Sequence, residues 1–471
     1  MQKESTRHCC GCFSVKKRSK NLFAVKENLG SEIKRSEREI IGCGKDPFMD
    51  NRTQDIYIKI LERELVPAMG CTEPIAIALT AAKAKEYLIG PVERVSVSAS
   101  GNIIKNVKSV KVPGTGGLRG IGAAVAAGVV AGDPHRELEV LAGILPKQQA
   151  EIRAFLENTV ITLSEALTDH VLDIGIRLEN SEHEVYVRTV DRHTGICLIR
   201  VDNKTVYSCE IDQINTKRED PLTIRQILEF AQEVDLSLVK EILDRQIAYN
   251  TAIAKEGLSG KYGAAIGKTL LDAYGDGVWN RAKAFAAAGS DARMNGCELP
   301  VVINSGSGNQ GMTASLPVIV YAEELGVSKE KLYRALLISN LTTIHLKTGI
   351  GCLSAYCGAI SAGCGAAAGV MYLYGGGWDE IAHTVVNGLA INSGVVCDGA
   401  KASCAAKIAS AVESGLLGMQ MYLNKKEFYS GDGLVGSSVE DTIRNVGKLA
   451  QNGMVETDRE IIRIMLNEES E

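Results

Sequence analysis

Five cysteines, Cys352, Cys357, Cys364, Cys397 and Cys404, fall within one stretch dominated by glycine and alanine. Thiolates bind iron and zinc well, and small residues let backbone approach a bulky inorganic group, so these residue types suggest a metal or iron–sulfur site. The alternative is a buried helix that uses cysteine as a small hydrophobe, since no Cys-x-x-Cys pair occurs in the stretch. In Cys397-Asp398-Gly399-Ala400-Lys401-Ala402-Ser403-Cys404, Asp398 is expected to cap a helix starting near Gly399. That would set Cys397 at the helix N-terminus and Cys404 two turns on, with both sulfurs aimed at one centre.

Two more segments carry candidate chemistry. In Met69-Gly70-Cys71-Thr72-Glu73-Pro74, Thr72 is a natural N-cap and Pro74 a natural early helix residue, so Cys71 precedes a helix N-terminus. There the helix dipole is expected to lower its thiol pKa and make it a base or nucleophile; the alternative is a small residue in a tight turn. The polar glycine loop from Val302 to Thr313, with Ser305, Ser307 and Asn309, opens onto a helix and suits a carboxylate or phosphate; otherwise it is a solvent turn. The spacing Gly114, Gly116, Gly117, Gly120 is not a dinucleotide fingerprint and reads as a tight strand-to-helix turn, with Arg119 as a weaker anion-site candidate.

These residues must be held by helices and one block of strands. Ile56, Ile60, Leu61 and Leu65 recur at helical spacing up to Pro67. From Val92 to about Asp212 the period becomes two, with runs at 92–100, 184–190, 195–201 and 204–211 that predict antiparallel strands. From Leu222 the pattern is helical nearly to the end. Residues 348–378 carry no charge, yet they hold too many glycines for a membrane span and predict a buried helix–loop–helix. The fold class is therefore α+β: a mainly helical domain interrupted by an inserted α/β domain.

The 471 residues can bury a large core, and the net charge of −5, with 52 basic and 57 acidic residues, gives no sign of nucleic-acid binding. The 13 cysteines are widely spread and no secretory segment precedes them, so a reducing, cytoplasmic setting is expected. Residues 1–48 are polar and aperiodic, with Cys9, Cys10, Cys12 and Cys43, and read as a disordered extension, Met49 being a plausible start. The expected division is 1–48 extension, 49–90 N-terminal helices, 91–214 inserted α/β domain and 215–471 helical domain. The helical surface makes a homodimer plausible.

The motif at Cys71, the segment Leu353-Ser354-Ala355-Tyr356-Cys357-Gly358-Ala359-Ile360 and the segment from Cys397 to Cys404 together resemble the L-cysteine desulfidase family, itself similar to the iron–sulfur L-serine dehydratases. The resemblance covers Met49 to Glu471. It implies a [4Fe–4S] cluster at the centre of the helical domain, held by Cys357, Cys397 and Cys404 with one iron open, and Cys71 as proton acceptor. It further implies β-elimination of L-cysteine to pyruvate, ammonia and sulfide, or the same reaction on L-serine. Cys352 and Cys364 would then only pack, although either stands close enough in sequence to replace Cys357. A pyridoxal-phosphate lyase is the rival enzyme reading, from the Ser305 loop and Gly375 to Gly377, but Lys268 and Lys283 lack the Schiff-base context. A non-catalytic iron–sulfur sensor would explain the cysteines and leave Cys71 unused.

Overall fold

Between Arg94 and Ser208 the two-residue alternation becomes a sheet. A computed structural model describes residues 49–210, 222–351 and 354–466, so the expected extension 1–48 and Cys352 lie outside the described residues. The strands are β1 (Pro67–Met69), β2 (Arg94–Ala99), β3 (Val160–Glu165), β4 (Asp173–Glu179), β5 (Glu184–Val190), β6 (Ile196–Val201), β7 (Lys204–Ser208) and β8 (Pro300–Val302). Six of them form one sheet in the order β3-β2-β4-β5-β6-β7, antiparallel except for the parallel β2–β3 pair. Val95 and Val97 of β2 face the core while Arg94 and Ser96 face water, as the pleat requires. The four predicted strands correspond to β2, β5, β6 and β7; β3 and β4 complete the sheet.

The helices before and within the sheet are α1 (Asn51–Glu64), α2 (Thr72–Tyr87), α3 (Gly101–Val107), α4 (Gly120–Ala131) and α5 (Pro146–Asn158). Asp50 caps α1 by accepting from the Thr53 amide at 3.0 Å, and Tyr57, Ile60 and Leu61 form its buried face. The glycine turn before α4 follows the end of α3, not a strand, and is spanned by a one-residue bridge between Lys111 and Arg119. Helix α2 lies against β4 and β5 on one side and α4 on the other, so almost its whole circumference is buried. Its crossing with α4 is tight: a Cβ on Gly128 would come within 2.2 Å of the Ala78 carbonyl oxygen.

Helices α6 (Ile224–Glu233), α7 (Lys240–Gly257), α8 (Ile266–Tyr274), α9 (Val278–Met294), α10 (Gly308–Leu325), α11 (Lys329–Thr348), α12 (Ala359–Leu373), α13 (Trp378–Asn392), α14 (Cys404–Leu423), α15 (Val439–Lys448) and α16 (Val455–Leu466) follow. The charge-free stretch runs from the end of α11 through a loop into the buried helix α12 and on to the start of α13, with α12 packed by α10, α11, α13 and α14. Its glycines mark the crossings: a Cβ on Gly363 would meet the Ala411 carbonyl oxygen of α14 at 2.2 Å. This packing explains why the segment is apolar all round. The architecture is α+β and mostly helical, and among the described residues no helix is long and apolar enough to cross a membrane.

Candidate active site

Cys71, Cys357, Cys397, Cys404, Ser305, Ser307 and Asn309 all line one cavity of about 830 Å³. Two peptide segments bring the first pair of thiols of the far wall together. Tyr356 bridges Val396 in antiparallel fashion, with the Cys357 amide donating to the Val395 carbonyl at 2.9 Å and the Cys397 amide to the Ala355 carbonyl at 2.6 Å. The chain then turns at Gly399, whose φ of 91° and close approach to the Lys105 carbonyl admit no side chain, and delivers Cys404.

The helix expected near Gly399 starts instead at Cys404, with Ser403 at its N-cap. Asp398 caps nothing; it is ion-paired to Lys401 and Lys407, which overcome its burial and hold it at about 2. Cys404, rather than Cys397, therefore occupies the helix N-terminus. Burial, with the neighbouring Cys397 and Cys404 sulfurs adding to it, pushes the Cys357 thiol up to about 12. Cys364 is pushed equally far by burial alone, but it is fully buried on α12 against Gly388 and does not line the cavity.

The polar wall begins with Cys71, which packs with Val110 and Met294 in a small cluster that Cys404 of the thiol wall adjoins; Cys71 is itself the N-cap residue of α2 and makes no side-chain cap bond, and Thr72 is the first helical residue. The expectation of a lowered thiol pKa is wrong. Burial first, then the negative charge of Glu73, push Cys71 well up, with Arg293 opposing, because a buried thiol next to a carboxylate gains little from the partial charge of one helix end. The Cys71 thiol donates to Glu73 Oε2 at 3.0 Å, Thr72 Oγ1 donates to the same oxygen at 3.1 Å, and Asn106 Nδ2 donates to Glu73 Oε1 at 3.1 Å. Burial works against the charge on Glu73, yet His193, the Cys71 hydrogen bond and Arg293 prevail and hold its carboxyl below the usual range.

The loop Ile303–Ser307 is fixed from beneath. Val302 N donates to Asn250 Oδ1 at 2.9 Å, Asn304 Nδ2 donates to Asn340 Oδ1 at 3.1 Å, and Asn340 exchanges amide hydrogen bonds with Gln246. Such a satisfied buried network is rigid. It sets Ser305 and Gly306 at positive φ, and Thr72 Oγ1, which shares its single proton between Glu73 Oε2 and the Gly306 carbonyl 3.0 Å away, ties the Cys71 helix to the loop. Ser305 Oγ donates to Asn304 Oδ1 at 2.9 Å, and Asn309 Oδ1 accepts from Arg293 at 3.2 Å.

Glu73, Asn106, His193, Arg293 and Gln310 also line the cavity and were not singled out from the sequence. Glu73 and Arg293 had a readable signal: Glu73 is the one charge between Thr72 and Ala82 of α2, and Arg293 follows Asp291 just after the charge-free run from Ala284 to Ser290 in α9. His193, in the polar β5–β6 turn, had none. Asn106 Oδ1, His193 Nε2, Arg293 Nε and Gln310 Oε1 are buried without a hydrogen-bond partner. Orphaned polar groups in native interiors are costly, so several around one cavity offer hydrogen bonds to water or to a polar ligand that displaces it.

Among the described residues, no group of three His, Cys, Asp or Glu side chains is arranged around a point that a single ion would occupy. Three thiols spread along one wall, near enough to repel one another when ionised, suit a polynuclear group in which each terminal thiolate takes its own iron. Lys268 and Lys283 are ion-paired to Asp272 and Glu413 and do not line the cavity, so neither serves a pyridoxal phosphate there.

The serine dehydratase alpha chain family matches residues 135–463. A UPF0597 protein of Desulfitobacterium hafniense is 54% identical over 426 residues, covering 89% of this chain and 99% of its own length. UPF0597 proteins of Lachnoclostridium phytofermentans and Fusobacterium nucleatum are 52% and 48% identical over 412 and 417 residues, each covering 87% of this chain and 99% and 98% of their own.

Proposed function

This chain belongs to the serine dehydratase alpha chain family, and from that premise we propose that it is a lyase that eliminates the β-substituent of L-cysteine, yielding pyruvate, ammonia and sulfide. The observation that carries the reading is the cavity itself: three thiols share its lining with a buried thiol–carboxylate pair and four unpartnered polar atoms. Cys357, Cys397 and Cys404 would hold a [4Fe–4S] cluster, which when bound supplies an iron with an open position able to polarise the leaving group.

The chain's own groups account for the proton. Cys71 rests as a neutral thiol hydrogen-bonded to Glu73, since burial holds its pKa high while Glu73 stays ionised. With substrate in place the thiol proton passes to Glu73 Oε2 and the sulfur takes the Cα proton. That first transfer is uphill, so the base is strong when it forms, which matches the weak acidity of a Cα–H bond. Asn106 and Thr72 hold Glu73 in the orientation that receives the proton. The Ser305–Asn309 loop, with the first-turn amides of α10, receives the substrate carboxylate.

L-serine is the second reading, favoured by the name of the matching family. Anaerobic purification followed by iron, acid-labile sulfide and pyruvate assays on both amino acids tests the proposal. The expected protein is brown, carries about four irons per chain and releases pyruvate. A colourless active protein, or activity abolished by borohydride, would sink the cluster reading.

A further inference from the structure

His193 stands outside the helical segments that furnish the thiols, and its surroundings give it a specific use. The β5–β6 turn is shaped by Asp191 at a φ of 61°, whose amide donates to the Leu172 carbonyl at 2.9 Å and whose carboxylate meets His170 Nδ1 at 3.0 Å. The Gly195 amide donates to the Arg192 carbonyl at 2.9 Å and closes the turn. The turn carries the His193 ring over the substrate loop, where Cε1 would lie 3.3 Å from a Cβ on Gly306. Its Nε2 is shut away from water and has no partner.

Arg293 lies across the loop. It is 3% exposed, its Nε has no partner, and Gly308 admits the guanidinium against the first turn of α10: a Cβ there would stand 2.4 Å from Nε. The Ser307 side chain does not cap that turn, leaving its first amides for another acceptor. A histidine nitrogen, a buried guanidinium and a helix N-terminus thus line the same cavity, and the ionised Glu73 lies close to both His193 and Arg293. A zwitterion matches this pattern, with its carboxylate between His193 and Arg293 and its ammonium toward Glu73.

We infer that His193 closes the carboxylate site of the cavity, hydrogen-bonding through Nε2 to the carboxylate of an α-amino acid that Arg293 and the first turn of α10 hold from the other side. The identity of that amino acid rests on the proposed elimination; the carboxylate site does not. A hydrogen bond to a charged group corresponds to roughly a ten- to hundred-fold change in affinity.

The test uses anaerobically prepared full-length protein and two non-substrate thiols, 3-mercaptopropanoate, which has the carboxylate but no ammonium, and cysteamine, which has the ammonium but no carboxylate. In His193→Ala the Kd for 3-mercaptopropanoate should rise about tenfold or more while that for cysteamine stays within about twofold. His193→Gln, which keeps a donor at a similar reach, should restore most of the affinity. His193→Asn, whose amide stops short, should repeat the loss and serves if the alanine variant does not fold. With L-cysteine or L-serine, KM should rise by a similar factor and kcat change less than about threefold.

Equal weakening of both thiols, weakening of neither, or no binding of 3-mercaptopropanoate by the parent overturns the inference. A parent that binds 3-mercaptopropanoate through His193 but releases no pyruvate overturns the elimination reading alone. Turnover with a KM indifferent to His193 overturns the carboxylate site alone.

Discussion

The thiol wall and the polar wall of the cavity are built in different ways. The thiol wall needs only two segments, joined by a short backbone bridge at Tyr356 and Val396 and finished by a turn at Gly399. The polar wall gathers Cys71 and Glu73 from α2, Asn106 from α3, His193 from the sheet, Arg293 from α9 and the Ser305 loop before α10. Thiols that bind metal are useful as a set, and a set is most easily kept in register by local backbone pairing. A polar wall that reads the ends of a small molecule needs donors and acceptors from several directions, which one segment cannot offer.

The difference predicts opposite responses to mutation. Replacing Cys357, Cys397 or Cys404 by alanine should remove iron and activity together, the largest effect expected anywhere in the chain. Iron and sulfide analysis reads it, and a Cys404→Ala protein with its full iron content would break the separation of the two walls. Cys71→Ser should keep the iron of the parent and lose turnover by roughly a hundred- to ten-thousand-fold, the range for a lost general base. Loss of iron in that variant would move Cys71 to the other wall.

Asp291, two residues before Arg293, sharpens the comparison through stability. Burial raises its carboxyl to about 6, although the Gly267 amide donates to it at 2.9 Å. A carboxyl whose folded pKa is raised favours the fold most when protonated, so its penalty grows as pH rises from about 4 to 6 and is complete above that. Asp291→Asn should therefore stabilise the protein by roughly 1–3 kcal/mol above pH 6, with no gain near pH 4, in denaturant unfolding at both values. A gain equal at both would show that the carboxyl's charge costs nothing.

The smallest effect is expected at Cys364, the thiol seven residues beyond Cys357 that packs against Gly388 instead of facing the cavity. Cys364→Ala should lose on the order of 1 kcal/mol to a small cavity and keep iron and turnover. Iron loss there would show that depth in the core does not separate ligands from packing thiols.

Local pattern carried much of the architecture. The alternation from Val92 onward marked the sheet region and the charge-free run around α12 marked a buried helix–loop–helix; the family resemblance, which alone chose Cys357 among its neighbours, and the polar glycine loop picked out seven residues that share a cavity. The first two properties follow from periodicity and composition, which neighbouring residues settle among themselves. Local reasoning failed where burial outweighed it. Asp398 looks like a cap but is held by Lys401 and Lys407, and Cys71 at a helix start has its thiol pushed up because water is excluded and Glu73 lies against it. His193 left no trace in its own segment, since its role depends on Gly306, more than a hundred residues away, being brought beneath its ring. The sequence by itself determined where the two-residue and helical periods lie and which segments carry the cysteines. Only the tertiary structure decided which charges meet in the cavity, because desolvation and electrostatic neighbours are properties of the packed interior and not of the chain's local spacing.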